Sequence, residues 1–171
     1  MPVLRSVAKS ILALSALSAT LFAQNIHNDP QHRFTISVPV GWHVTTNEHE
    51  MKLTMGDSVI HIMHVDGQNS AANAAQIVMG DVPERFTDVM PTGTGETVLG
   101  GDKATFYDCA AYDDRSIAVN LHFTATDSGW VFFALTSQAG FSSLRDTFRK
   151  IEASFMLTKN IPSATPPPPT K

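Results

Sequence analysis

The sequence predicts an α+β domain: an antiparallel β-sheet flanked by helices, in an α/β/α sandwich. Three observations carry that expectation. Apolar and polar residues alternate with a period of two in several segments separated by Gly, Asp, Ser and Pro clusters. Near the C-terminus, Leu144, Phe148, Ile151 and Phe155 recur at +4, +3 and +4, which is one helical stripe. With 171 residues and 43% hydrophobic content, the chain is one domain's worth and can bury a core.

Residues 1–23 read as an export signal. Arg5 and Lys9 supply a positive start, residues 11–22 an apolar run, and Ala23 a small residue suited to cleavage, although Leu21 is larger than the usual Ala two residues before it. An uncut anchor needs ~20 apolar residues, and Ser and Thr interrupt this shorter run. No cysteine lies near the cut, which excludes lipidation there. The exported chain is expected to be soluble, in the periplasm or the medium, with no stable membrane insertion after cleavage. Loss of Arg5 and Lys9 leaves 10 basic against 16 acidic residues, a formal charge of −6. That balance repels phosphate backbones, so no nucleic-acid partner is expected, and anionic lipid surfaces are disfavoured.

The exported chain then divides into a polar lead-in (24–33), a domain (34–158) and a disordered proline-rich tail (159–171). Phe34, Ile36 and Val38 alternate with Thr35, Ser37 and Pro39, a half-buried strand that Pro39 ends. Gly41 permits a turn, and Trp42 with Val44 opens the next strand. Met51, Leu53 and Met55, the turn Gly56-Asp57-Ser58, and residues 59–65 form a hairpin whose second arm is apolar enough to lie inside a sheet. The Ala-rich segment 69–79 predicts a helix capped by Asn69 or Ser70. Val82, Pro83, Phe86 and Val89 predict a short second helix, and residues 91–96 a loop. Strands are predicted over 104–112, 116–126 and 130–136, joined by short turns that enforce antiparallel pairing. The last of these is nearly all apolar and should be central. The closing helix carries the Leu144–Phe155 stripe, with Ser143 and Asp146 resembling a capping box.

Three stretches carry a resemblance: "FTISVPVGW" (34–42), "VLGGDKATFYD" (98–108) and "VFFALTSQAGFSSLRDTFRKIEASF" (131–155). Together they resemble the PsbP-like group, which includes the extrinsic photosystem II subunit, the Ran-binding Mog proteins and bacterial domains of unknown function. The likeness spans residues 34–157. It implies a helix–sheet–helix sandwich and a binding, assembly or chaperone-like role without enzymatic activity. The matching stretches are packing signatures, so no family site residue is carried onto this chain. Neither photosynthesis nor Ran binding follows from them.

The seven histidines are the best material for a site. His61 and His64, three apart, would share a helix face but point to opposite faces of a strand, which argues against joint metal ligation. His27 and His32 flank Asp29. A copper or nickel site at a free amine needs His at position three; cleavage after Ala23 places His27 at position four, whereas cleavage after Gln24 would restore the site. Glu48 and Glu50 could bind a cation with His49, but with His43 they fit a solvated hairpin edge as well. Asp113, Asp114 and Arg115 fit a turn. The glycines of "GTGETVLGG" lack the lysine and spacing of a phosphate loop. His43 or His122 could serve as a hydrolytic base, but no nucleophile and orienting group stand beside either in sequence. Cys109, the single cysteine, permits no intramolecular disulfide and reads as a buried thiol.

The sequence therefore specifies no catalytic, cofactor-binding or metal residues and no cofactor. It predicts an exported non-enzymatic PsbP-like binding or assembly-support protein, with another exported or envelope protein as partner. The alternative is a periplasmic metal or small-ligand carrier.

Overall fold

The computed structural model describes residues 24–67, 70–80 and 86–160. The export signal, Val82 and Pro83 of the expected second helix, and the tail beyond Asn160 lie outside them. In chain order the elements are β1 (Gln24–Asn28), β2 (Phe34–Pro39), β3 (His43–Thr46), β4 (Glu50–Met55), β5 (Ser58–His64), α1 (Ala71–Gly80), β6 (Phe86–Leu99), β7 (Asp102–Asp113), β8 (Ala118–Thr126), β9 (Trp130–Ser137), α2 (Gln138–Ser154) and β10 (Met156–Leu157), then a 3-10 turn, Thr158–Asn160.

Strand alternation builds the large sheet. Its order is β3-β4-β5-β9-β8-β7-β6, antiparallel throughout, with the apolar β9 in the middle as expected. Successive β9 side chains go to opposite faces, so Phe132 joins one core cluster and Phe133 the other. This explains why "WVFFALT" is apolar at every other position and between.

On the first face, Phe132, Ile60, Ile62 and Trp130 meet Phe148, Ile151 and Phe155 of the C-terminal stripe. Phe34, Ile36 and Val38 of β2 complete that cluster. They belong to a second, three-stranded sheet, β1-β2-β10, laid beside α2. Each fully buried large apolar side chain there contributes about 1.5–3 kcal/mol. Phe34 sets its ring edge-on to Trp130 at 5.2 Å. Ser154 Oγ accepts the Ser37 N–H at 2.9 Å and locks the end of α2 to β2. On the second face, Leu121, Phe123 and Phe133 are covered by Ala71 and Ala74 of α1. The expected antiparallel sheet with helices packed on it is present. Helices are few among the described residues, one on each face, and a small sheet does part of the covering on the first, so strands dominate the layering.

Several local expectations need correction. The polar lead-in contains β1, paired along its length with β2. Its side chains carry no amphipathic signal, since Ile26 is 73% exposed. Phe86 and Val89 are in β6, not in a helix, and residues 91–96 continue that strand instead of looping. Pairing with β7 overrides the glycines and proline, which surface as two register irregularities between Thr87 and Gly93. The final helix starts at Gln138, earlier than a Ser143 cap would place it. Ser137 is the cap, and its Oγ accepts the Gly140 N–H. For α1, Ser70 caps as expected, accepting the Asn73 N–H at 3.1 Å, and the Asp127 carboxylate accepts the Ala71 N–H.

Candidate functional site

Between α2 and the β6–β8 end of the large sheet lies a cleft of about 520 Å3. Its floor is Thr97, Phe106, Asp108 and His122, brought to one sheet face by alternation. Gly93, Gly95 and Thr97 of β6, Phe106 and Asp108 of β7, and His122 and Thr124 of β8 share one face, because Gly95 pairs with Phe106, and Asp108 with His122. Gly95 has a specific job: a Cβ there would lie 2.6 Å from Phe106 Cε1, so the missing side chain lets the Phe106 ring lie across β6. The wall is one stripe of α2, on which Phe141, Arg145, Phe148, Arg149 and Glu152 face the strands.

An ionic network closes the inner end. His122 Nδ1–H donates to Asp108 Oδ1 at 2.6 Å. On the other side, Nε2–H meets Thr124 Oγ1 at 3.0 Å and Glu152 Oε1 at 3.4 Å. The Thr124 hydroxyl in turn donates to Glu152 Oε1. Burial opposes a charge on this ring, but hydrogen bonds to Asp108 and Glu152 and the charges of both outweigh it, and the pKa rises to about 9. At neutral pH His122 is thus an imidazolium held between two carboxylates. It keeps its proton, which is the opposite of what a general base at that pH requires. Phe106 stacks beside it, with centroids 6.2 Å apart.

Arg145 and Arg149 line the same cleft and are exposed. Arg33 and Arg115 are committed to Asp29 and Asp113. Arg145 and Arg149 make no ion pair among the described residues. Glu152, three residues beyond Arg149 on the same helix face, is the natural partner. Its carboxylate is instead turned inward to Thr124 and His122.

The other sequence candidates are separated. His61 and His64 do lie on opposite faces: His61 bonds Glu50 and stacks on Phe133, while His64 bonds Asp66 and the Ser128 carbonyl beside Trp130. Asp29, between His27 and His32, is 2% exposed and takes the Arg33 guanidinium and backbone N–H. His43, Glu48 and His49 are exposed at the β3–β4 edge. Asp113 accepts the N–H groups of Arg115 and Ile117 plus the Arg115 guanidinium. Desolvation works against its charge, but these bonds hold its carboxyl below the usual range. These residues border a second cavity of about 370 Å3 with Asp57 and Phe86, whose Arg115 and Asp113 consume each other. Burial, aided by Asp108, pushes the Cys109 thiol up. Among the described residues, no group of three or more His, Cys, Asp or Glu is placed to hold a metal.

Sequence reasoning named His122 only as an isolated base and missed the site. The available signal was the two-residue spacing of His122 and Thr124, polar groups on a strand face that α2 must cover.

No family model matches the chain, and no curated protein matches it in sequence. Solved structures do. The chain is similar to cyanobacterial PsbP (CyanoP) from Synechocystis sp. PCC 6803, with a TM-score of 0.55 and 9% identity over 82% of this chain and 95% of that one. It is also similar to LpqN, involved in cell envelope biogenesis of Mycobacterium tuberculosis, with a TM-score of 0.48 and 12% identity over 79% and 90%. A protein of unknown function from Pseudomonas aeruginosa, PA94, follows at 0.43 and 10% over 85% and 99%. At such identities the likeness concerns the fold, and the fold is PsbP-like.

Proposed function

We propose that the chain is an exported, non-enzymatic binding protein that works from the cleft beneath α2, with another exported or envelope component as its partner. One observation supports this above others. The cleft combines exposed arginines with aromatic walls, while its only histidine is locked as a charged pair with Asp108 and Glu152. Such a site is built to hold something and lacks a free base for turning it over. A volume of about 520 Å3 is also within the ~300–1,000 Å3 usual for small-molecule sites, which favours the ligand-carrier form of the same reading.

Export is part of the proposal. No helix among the described residues is long and apolar enough to cross a membrane. N-terminal sequencing of the protein recovered outside the cytoplasm should begin at Gln24; a chain still starting at Met1 there would contradict cleavage.

The binding reading is tested by photo-crosslinking in the producing cell. A photoreactive residue replaces Val98, at the cleft rim and 63% exposed, or Ile26, on the far sheet and 73% exposed. The proposal expects a defined adduct from position 98 and none from 26. Equal adducts at both positions, or none at 98, would refute it.

A further inference from the structure

We infer that the α2 cleft takes a single-chain carboxylate amphiphile, its head clamped by Arg145 and Arg149 and its apolar chain laid over Phe106 toward Phe141 and Phe148. The inference rests on the cleft being the binding site and adds the class of ligand.

Charge supplies the first argument. The chain as a whole is acidic, with a formal net charge of −4. Yet the cleft gathers two guanidinium groups that no carboxylate among the described residues answers. The reason is the inner network. Thr124 and His122 draw the Glu152 carboxylate inward, so the acid best placed to neutralise Arg149 is withheld from it. Thr124 and His122 are positioning residues in this sense: they act on the ligand only through Glu152 and Arg149. Residues four apart on a helix stand one above the other, so Arg145 and Arg149 present adjacent forks suited to an oxyanion.

The size of the head charge follows from the cleft's ionisable groups. Asp108, His122 and Glu152 together leave one negative charge, and the two arginines outweigh it by one. A carboxylate restores balance, whereas a phosphate monoester, at ≈ −1.5 to −2, overshoots it. The body of the ligand follows from the walls. Phe106 and Phe141 are half-buried and Phe148 buried, and the missing Gly95 side chain lets the Phe106 ring lie flat as apolar floor. Apolar surface next to a cationic rim fits an acyl chain better than a free small acid.

The experiment is calorimetric titration of the purified protein at pH 7 with dodecanoate below its micelle concentration. Acetate, dodecyl phosphate and dodecyltrimethylammonium serve as parallel probes. Saturable one-to-one binding of dodecanoate is expected, with each other probe at least tenfold weaker. Arg145→Gln with Arg149→Gln, on exposed positions, should weaken dodecanoate at least tenfold while leaving the unfolding midpoint unchanged. Thr124→Val, which touches neither arginine, should also weaken it, and binding should grow less salt-sensitive as Glu152 turns to Arg149. Three results overturn the inference: no saturable dodecanoate binding, equal or tighter binding of the cationic or phosphate probe, or wild-type affinity in the double arginine variant. If any of these occurs while Val98 still crosslinks in the cell, the binding reading stands and only the ligand class falls. Loss of the Val98 adduct as well sinks both.

Discussion

Replacing His122 by Gln removes the cation held between Asp108 and Glu152 and leaves two carboxylates facing across the inner end of the cleft. The cost must depend on pH, with a definite sign. In the unfolded chain the ring titrates near 6.5, and in the fold near 9. The folded state therefore holds this proton more tightly. Its contribution is fully present below pH 6.5, declines as pH rises, and is gone once pH passes about 9. At about 1.4 kcal/mol per pH unit, the interval between the two values corresponds to about 3 kcal/mol. The ring is 23% exposed, so solvent screening reduces this only in part. Urea unfolding of wild type and His122→Gln at intervals from pH 6 to pH 10 measures it. Taking the difference cancels other groups that titrate in the window, such as Cys109. The stability gap should shrink by about 3 kcal/mol across the series. A gap that stays flat with pH would show that the fold holds the ring's proton no more tightly than the unfolded chain does, and the ion-pair account of the cleft would fail.

Other substitutions probe the framework. Gly95→Ala places a methyl 2.6 Å from Phe106 Cε1 and should destabilise by about 1–3 kcal/mol, whereas Gly93→Ala meets its nearest atom at 3.4 Å and should be close to neutral. Equal costs in chemical denaturation would contradict the placement of Phe106. Phe34→Ala empties a site packed between Trp130 and Phe155 and should cost about 3–5 kcal/mol, visible as a lowered Tm; a loss under 1 kcal/mol would mean that β2 does not share the α2 core. Cys109, 2% exposed and with its thiol pushed up by burial, should react with a thiol reagent only as fast as the protein opens. Labelling of the native protein at the rate of a free thiol would place β7 wrongly.

The sequence carried the strands whose burial is one-sided or complete. β2, β5, β8 and β9 show it in alternating or continuous apolar residues, and the α2 stripe is legible for the same reason. What stayed hidden were the elements held by neighbours. β1 and β6 are edge strands with mostly exposed side chains, and backbone pairing to β2 and β7 fixes them without leaving any period in the residues. Gly93 and Gly95 therefore passed for turn residues, although they lie inside β6 opposite Asp108 and Phe106. The start of α2 was obscured by Gly140, a poor helix residue tolerated in the first turn because Ser137 caps its N–H. The site itself needs Asp108, His122, Thr124 and Glu152 to meet. The β7–β8 ladder and the docking of α2 bring them together over separations of up to 44 positions, and no local pattern encodes such a meeting.

Amide NMR of the purified protein during a dodecanoate titration tests the cleft most directly. Saturable shift changes are expected on residues 141–153 of α2 and on the floor around Thr97, Phe106 and His122. Changes centred instead on Asp57 and Asp113, or spread evenly over the fold, would contradict that expectation.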